Sequence, residues 1–366
     1  LQTCEATRGG QLLHEALAAG RIMRSKHIEF SASIYCAAYE VTTQNETSVD
    51  NMLRRALQLG KAQGYYTLHW AYPEAIKYVL TRALTTYIEV DYVKRLIRRR
   101  APLLGTPPPA VENWPWPLRI YTLGRFEVVI HDHPLRFSGR AQQKPLELLK
   151  ALVALGGREV NVAKICDALW PDAEGDLQHQ TFSTTLHRLR KLIGIKGALV
   201  LNDGGLGLDD RSCWVDAWAF EALTASADQT ETTGAPTPET IRLIERVSAF
   251  YKGRFLANNN SSWALRAREK YRRRYLDAME TLGQYHEDSG RFPEAVATSQ
   301  AALEIHPAVE RFYQRIMRCY RHMGDNREAV ATYMRCKAVL ADTLHIEPST
   351  QTVNLYRSVV DGELVK

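Results

Sequence analysis

In one stretch of helix length, Gln180, Thr184, His187 and Arg188 follow one another at helical spacing, with Ser183, Arg190 and Lys191 beside them. Amide, hydroxyl, imidazole and guanidinium groups on one helix face are the donors and acceptors that match base-pair edges, and flanking cations match phosphates. The chemistry open to such a set is recognition rather than bond making. From Leu177 through Asn202 no Asp or Glu occurs, while Arg188, Arg190, Lys191 and Lys196 all do. The other side of the same stretch carries Phe182, Leu186, Leu189 and Ile193, an apolar stripe that needs a core to cover it. An ordinary amphipathic surface helix has the same pattern, so the surrounding elements decide the matter.

Those elements are legible. Leu118, Ile120, Tyr121, Leu123, Phe126, Val128, Val129 and Ile130 are β-formers in short runs, broken by Gly124 and by His133–Pro134. Helical patterns follow at Pro145–Leu155, Val162–Trp170 and Leu177–Ile193. Leu199–Leu201 and Leu206–Leu208 then flank Asp203–Gly204–Gly205, a hairpin signal. Strands, three helices and a hairpin are the order of a winged helix-turn-helix, whose third helix, Gln178–Ile193, would read double-stranded DNA. Residues 118–220 hold thirteen Lys and Arg against twelve Asp and Glu, so positive charge is focused on that helix and the wing rather than spread over the module.

On either side the chain reads as helix, giving a mainly α fold class overall. Residues 1–100 form a helical-repeat segment that closes on the basic run Arg98–Arg100. Six prolines within 101–117 mark a Pro-rich linker, which Trp114 and Trp116 could pin to a neighbouring surface. The winged-helix domain is placed at 118–223, and the Ser/Thr/Gly/Pro-rich stretch 224–238 reads as a second linker. In residues 239–366 Glu-Ala-Val-Ala-Thr occurs at Glu294–Thr298 and again at Glu328–Thr332, each copy after a Gly break, at Gly290 and Gly324. The 34-residue offset is that of a tetratricopeptide-like α-helical domain. Helices at about 239–251, 262–274 and 350–361 would cap it, since two copies cannot bury a solenoid core alone. The basic run Arg266–Arg274 fits either a solvated helix face or a contact with the winged domain or the DNA backbone.

Composition narrows the class. A chain of 366 residues with 45% hydrophobic and 24% charged residues is long enough for two or three domains. No apolar run is long enough to span a bilayer and no signal sequence opens the chain, so no membrane partner and a cytoplasmic location are expected. The first residue is Leu1, inside a helical pattern, which suggests the C-terminal part of something longer. Cys4, Cys36, Cys166, Cys213, Cys319 and Cys336 form no CxxC pair and sit at no zinc-site spacing, so neither metal nor disulfide framework is expected. HExxH, GxSxG, phosphate-loop and GxGxxG patterns are absent, which argues against an enzyme and against any cofactor.

Residues 118–220 resemble the OmpR/PhoB-type winged helix in the version carried by the Streptomyces antibiotic regulatory proteins (SARP). The resemblance rests on Leu123-Gly124 with Phe126-Glu127-Val128, Lys144-Pro145 with Leu148-Leu149, Leu169-Trp170-Pro171, the segment Leu186–Leu192, and Val215-Asp216 with Phe220. Residues 239–361 resemble the bacterial transcriptional activation domain that follows it in that family, through Tyr251–Leu256, Trp263, Arg272–Tyr275, Gly290, Ala295, Gly324, Ala329, Glu347-Pro348 and Leu355-Tyr356. Residues 52–100 are similar to the end of the repeat region of MalT-like regulators.

The resemblance implies a sequence-specific transcriptional regulator, an activator, whose third helix enters the major groove with Thr184, Arg188 and Lys191. With the helix-face argument, the expected base-reading set is Gln180, Thr184, His187 and Arg188, and the phosphate or wing set is Ser183, Arg190, Lys191, Lys196 and Asn202. Acidic Asp203, Asp209 and Asp210 near the wing depart from a strong wing contact. Implied partners are promoter DNA, RNA polymerase and a second copy of the chain. An upstream nucleotide-binding sensor is also implied, and no GxxxxGK[ST] occurs in this chain. The alternative is a tetratricopeptide-type interaction scaffold whose winged helix binds protein rather than DNA.

Overall fold

A computed structural model describes residues 2–41, 46–67, 73–136, 142–173, 175–230 and 236–361. The N-terminal part is a layer of helices, α1 (Gln2–Ile22), α2 (Lys26–Val41), α3 (Glu46–Gln63), α4 (Pro73–Thr85) and α5 (Val90–Arg100). Phe30, Leu53, Leu57, Val79, Tyr92 and Ile97 come from successive helices and are all buried in one cluster. The Pro-rich segment that follows is packed, because its two tryptophans belong to that same cluster. Trp116 donates its indole N–H to the Val111 carbonyl at 2.9 Å. Trp214, far along the chain, donates its own to the Pro109 carbonyl at 2.8 Å, which ties the segment to the next module.

That module contains β1 (Leu118–Tyr121), β2 (Glu127–Ile130), β3 (His133–Pro134), α6 (Gln143–Ala154), β4 (Val160–Asn161), α7 (Val162–Leu169), α8 (Gly175–Ile193), β5 (Leu199–Asn202), β6 (Gly205–Leu208) and β7 (Cys213–Val215). One sheet has the order β3-β2-β1-β7, the other β4-β6-β5. β1 pairs antiparallel with β2, Leu118 opposite Ile130, and parallel with β7, Leu118 opposite Cys213. The wing is the β5–β6 hairpin with Asn202 opposite Gly205. Asp203 and Gly204 turn it with φ of 46° and 76°, the left-handed backbone that a two-residue hairpin loop requires. Asn161 caps α7 by accepting from the Ala163 N–H at 2.8 Å.

The C-terminal part is helical: α9 (Asp216–Thr230), α10 (Pro238–Phe250), α11 (Ser262–Asp288), α12 (Phe292–Ile305), α13 (Glu310–His322), α14 (Asn326–Leu344) and α15 (Thr350–Val360). The 34-residue period is real in space, since Ala295 and Ala329 start equivalent helices and are both fully buried. Gly290 and Gly324 turn the chain before them with φ of 70° and 79°.

Two expectations are corrected here. Residues 224–230 are not linker but the last two turns of α9; Thr224 and Ala227 are buried, and 231–235 lie outside the described residues. α11 runs to Asp288, well past the expected 274. Its basic run is in part structural, for Arg268 donates to the carbonyls of Phe255, Leu256 and Asn259 at 2.9, 2.6 and 2.6 Å. Deeper in the repeats, Arg315 is buried and held by Glu280 at 2.5 Å and Glu287 at 3.1 Å.

The winged module and the C-terminal helices share one core, from Leu148 and Leu189 through Phe220 and Tyr251 to Tyr275 and Phe312. Leu123 bridges to Phe255, and the Leu256 N–H donates to the Thr122 carbonyl at 2.9 Å. Gly124, at φ 94°, lies so close to Lys252 that a Cβ would stand 2.8 Å from its backbone.

Candidate nucleic-acid interface

α8 divides as its sequence dictates. Phe182, Leu186, Leu189 and Ile193 are each 3% exposed or less and enter the core with Leu149 and Leu152 of α6 and Ile165 of α7. Thr185, which the stripe argument did not single out, is buried with them. The opposite face is open. Gln180, Ser183, Thr184, His187, Arg188 and Lys191 are all exposed, as are Lys196 and Asn202 at the wing. Among the described residues the side chains of Arg188, Lys191 and Lys196 have no hydrogen-bond or ion-pair partner, so their charge is unspent. Arg190 and Lys191 also lie in the last turn, where cations complement the negative end of the helix dipole.

Arg190 has a second task. Its Nη2 donates to the Leu199 carbonyl at 3.1 Å, fixing the first strand of the wing beside the last turns of α8. Gln178 donates to the Trp170 carbonyl at 2.9 Å and fixes the other end, where α7 turns into α8. Neither bond has a sequence signal, because each depends on which backbone carbonyl the fold brings near. The wing itself exposes Val200 and Leu201 next to Asn202. Of its three acids, Asp209 is occupied at the base of the wing, accepting from the Ser212 hydroxyl at 2.7 Å, whereas Asp203 is at the tip. Cys213, at the start of β7, is buried, which pushes its thiol up to about 12. With Cys36, Cys166, Cys319 and Cys336 it is a buried, unbridged core residue.

The sheet is joined to α9 by Asp216. One carboxylate oxygen accepts from the N–H groups of Thr122 and Leu123 at 2.6 and 2.8 Å. The other accepts from the Thr122 hydroxyl and the Ala217 N–H, both at 2.7 Å. Burial nevertheless pushes its pKa up from 3.8 to about 6, the four hydrogen bonds pulling the other way.

Residues 215–360 match the family model of the bacterial transcriptional activator domain. The chain is 27% identical over 231 residues to the regulatory protein AfsR of Streptomyces griseus, covering 63% of this chain and 23% of that protein. To AfsR of Streptomyces coelicolor it is 27% identical over 258 residues, 70% of this chain and 25% of the relative. The chain is therefore similar to regulators of the SARP type.

It spans about a quarter of the length of these SARP relatives. The structure of Mycobacterium tuberculosis EmbR in complex with a low-affinity phosphopeptide has the same fold over 68% of this chain and 66% of its own, with a TM-score of 0.51 and 22% identity. The matched activator domain begins at Val215, the last residue of β7, so the strand that completes the winged sheet runs directly into the activator domain. No described helix is long and apolar enough to cross a membrane.

Proposed function

We propose that the chain binds double-stranded promoter DNA sequence-specifically, with α8 in the major groove and the β5–β6 wing on the adjacent backbone. Gln180, Thr184, His187 and Arg188 read base edges; Ser183, Arg190, Lys191, Lys196 and Asn202 hold phosphates or the wing contact. The observation that carries this is the exposed face of α8, free of acids from Leu177 onward, whose Arg188 and Lys191 have no described partner while the opposite face is locked in the core. A protein-binding scaffold has no need of such a face. In this proposal Val200 and Leu201 lie against the sugars, and Asp203 keeps the wing-tip contact weak.

The protein acts as an activator. The C-terminal helices order a second copy or meet RNA polymerase, and the N-terminal layer couples binding to a nucleotide-binding sensor elsewhere in the parent protein. Shared cores support such coupling, since the reading helix packs with the activator domain in one cluster and the N-terminal layer packs with Trp214 and Ala219 in another. The test is a mobility-shift titration on promoter DNA across a salt series. Arg190, Lys191 and Lys196 predict a log–log slope of about −3 per protomer, at about −0.9 per neutralised phosphate. Absence of binding at low salt would refute the proposal, and binding without activation in reconstituted transcription would reassign the protein as a repressor.

A further inference from the structure

The packed Pro-rich segment borders a cavity of about 410 Å3, within the range of small-molecule sites. Trp114, Pro107, Pro115 and Pro117 line it together with Arg98 of α5 and Arg211 of the β6–β7 turn. An indole is a flat apolar wall suited to a flat ligand, and the pyrrolidine rings beside it add rigid apolar surface. The polar groups are specific too. The junction's other two indoles, Trp116 and Trp214, donate to the Val111 and Pro109 carbonyls. Trp114 is only 5% exposed, and among the described residues its indole N–H meets no acceptor, which leaves that donor open to a ligand. Arg211 is exposed and its guanidinium likewise has no described acceptor. Arg98 shares the single carboxylate of Asp132 with Arg119, at 3.2 and 2.8 Å, which leaves excess positive charge beside the cavity. The larger cavity between α9, α10 and α11 differs in that Lys270, Arg274 and Arg273 on its lining are engaged by Glu221, Thr224 and Asp277.

We infer that the cavity under the Pro-rich segment binds a small aromatic carboxylate, its ring against Trp114 and the prolines and its acid group on Arg211 and Arg98. Guanidinium is the side chain that grips a carboxylate in two parallel hydrogen bonds. Because Arg98 belongs to the helical layer and Arg211 to the base of the wing, such a ligand ties the two together.

The probes are benzoate, indole-3-acetate and 1-naphthoate, titrated into the full chain without DNA by calorimetry and by tryptophan fluorescence. At least one acid should bind saturably, with its primary amide and the Arg211→Ala variant each weaker by about tenfold or more. Thermal unfolding of the exposed Arg211→Ala protein should be unchanged, and Arg273→Ala, at the other cavity, should bind as the native chain does. Three acids without saturable binding, an amide that binds equally well, or an Arg211→Ala protein with undiminished affinity would each overturn the inference. Since no DNA is present, these outcomes are separate from those that test DNA recognition.

Discussion

Replacing Asp216 by Ala tests whether the winged sheet and the activator domain are one unit. Asp216 is the acceptor for three backbone N–H groups, those of Thr122, Leu123 and Ala217, in a site closed to water. At about 2 kcal/mol for each buried donor left without a partner, Asp216→Ala carries a gross cost of about 6 kcal/mol. Relief of the buried charge opposes it. A carboxyl whose pKa is raised on folding, here from 3.8 to about 6, contributes stability that is present at low pH and lost as pH rises through 6. At about 1.4 kcal/mol per pH unit, ionised Asp216 weakens the fold by about 1 kcal/mol at about pH 4.5 and about 3 kcal/mol at about pH 7.5. The variant has no such group. Its net cost is therefore about 5 kcal/mol at about pH 4.5, falling to about 3 kcal/mol at about pH 7.5. Urea denaturation of both proteins at the two pH values, followed by tryptophan fluorescence, measures this directly. A cost below about 1 kcal/mol at both values, or a gap that widens with pH, would refute the reasoning.

Further predictions concern the interface and its support. Arg188→Ala should lower affinity for a selected site by about 1–3 kcal/mol and relax preference at one base position, read by binding-site selection. Lys191→Ala should weaken all sites about equally and reduce the salt slope by about one, read from the same titrations at several ionic strengths. Gly124→Ala, which puts a Cβ at φ 94° and 2.8 Å from the Lys252 backbone, should cost about 2 kcal/mol or more and lower the thermal midpoint.

The division of α8 was legible because it is written in one helix: Phe182, Leu186, Leu189 and Ile193 repeat at the helical period, and the structure buries those four. The wing was legible because Asp203–Gly204 is local turn chemistry. What escaped depends on distant partners. Thr224–Thr230 has a polar composition that reads as loop, yet tertiary packing of Leu223 and Ala227 keeps it helical. The parallel pairing of β7 with β1 joins residues about ninety positions apart, and no turn signal announces it. Asp216, Arg268 and Arg315 look like surface charges in sequence and become structural only where the fold supplies Thr122, the carbonyls of Phe255–Asn259, or Glu280 and Glu287. In the interface, Arg190 was placed among phosphate contacts by its charge, and its bond to Leu199 adds a positioning task that charge alone does not reveal.

The most direct measurement of the central claim is methylation interference on a selected duplex site. Guanine N7 lies in the major groove and adenine N3 in the minor groove, so the two modifications separate the grooves. If α8 reads the major groove with Gln180, Thr184, His187 and Arg188, methylation of particular guanines at N7 abolishes binding, and Arg188→Ala no longer senses one of them. Interference confined to adenine N3, or no interference on a site the protein binds, would contradict the account.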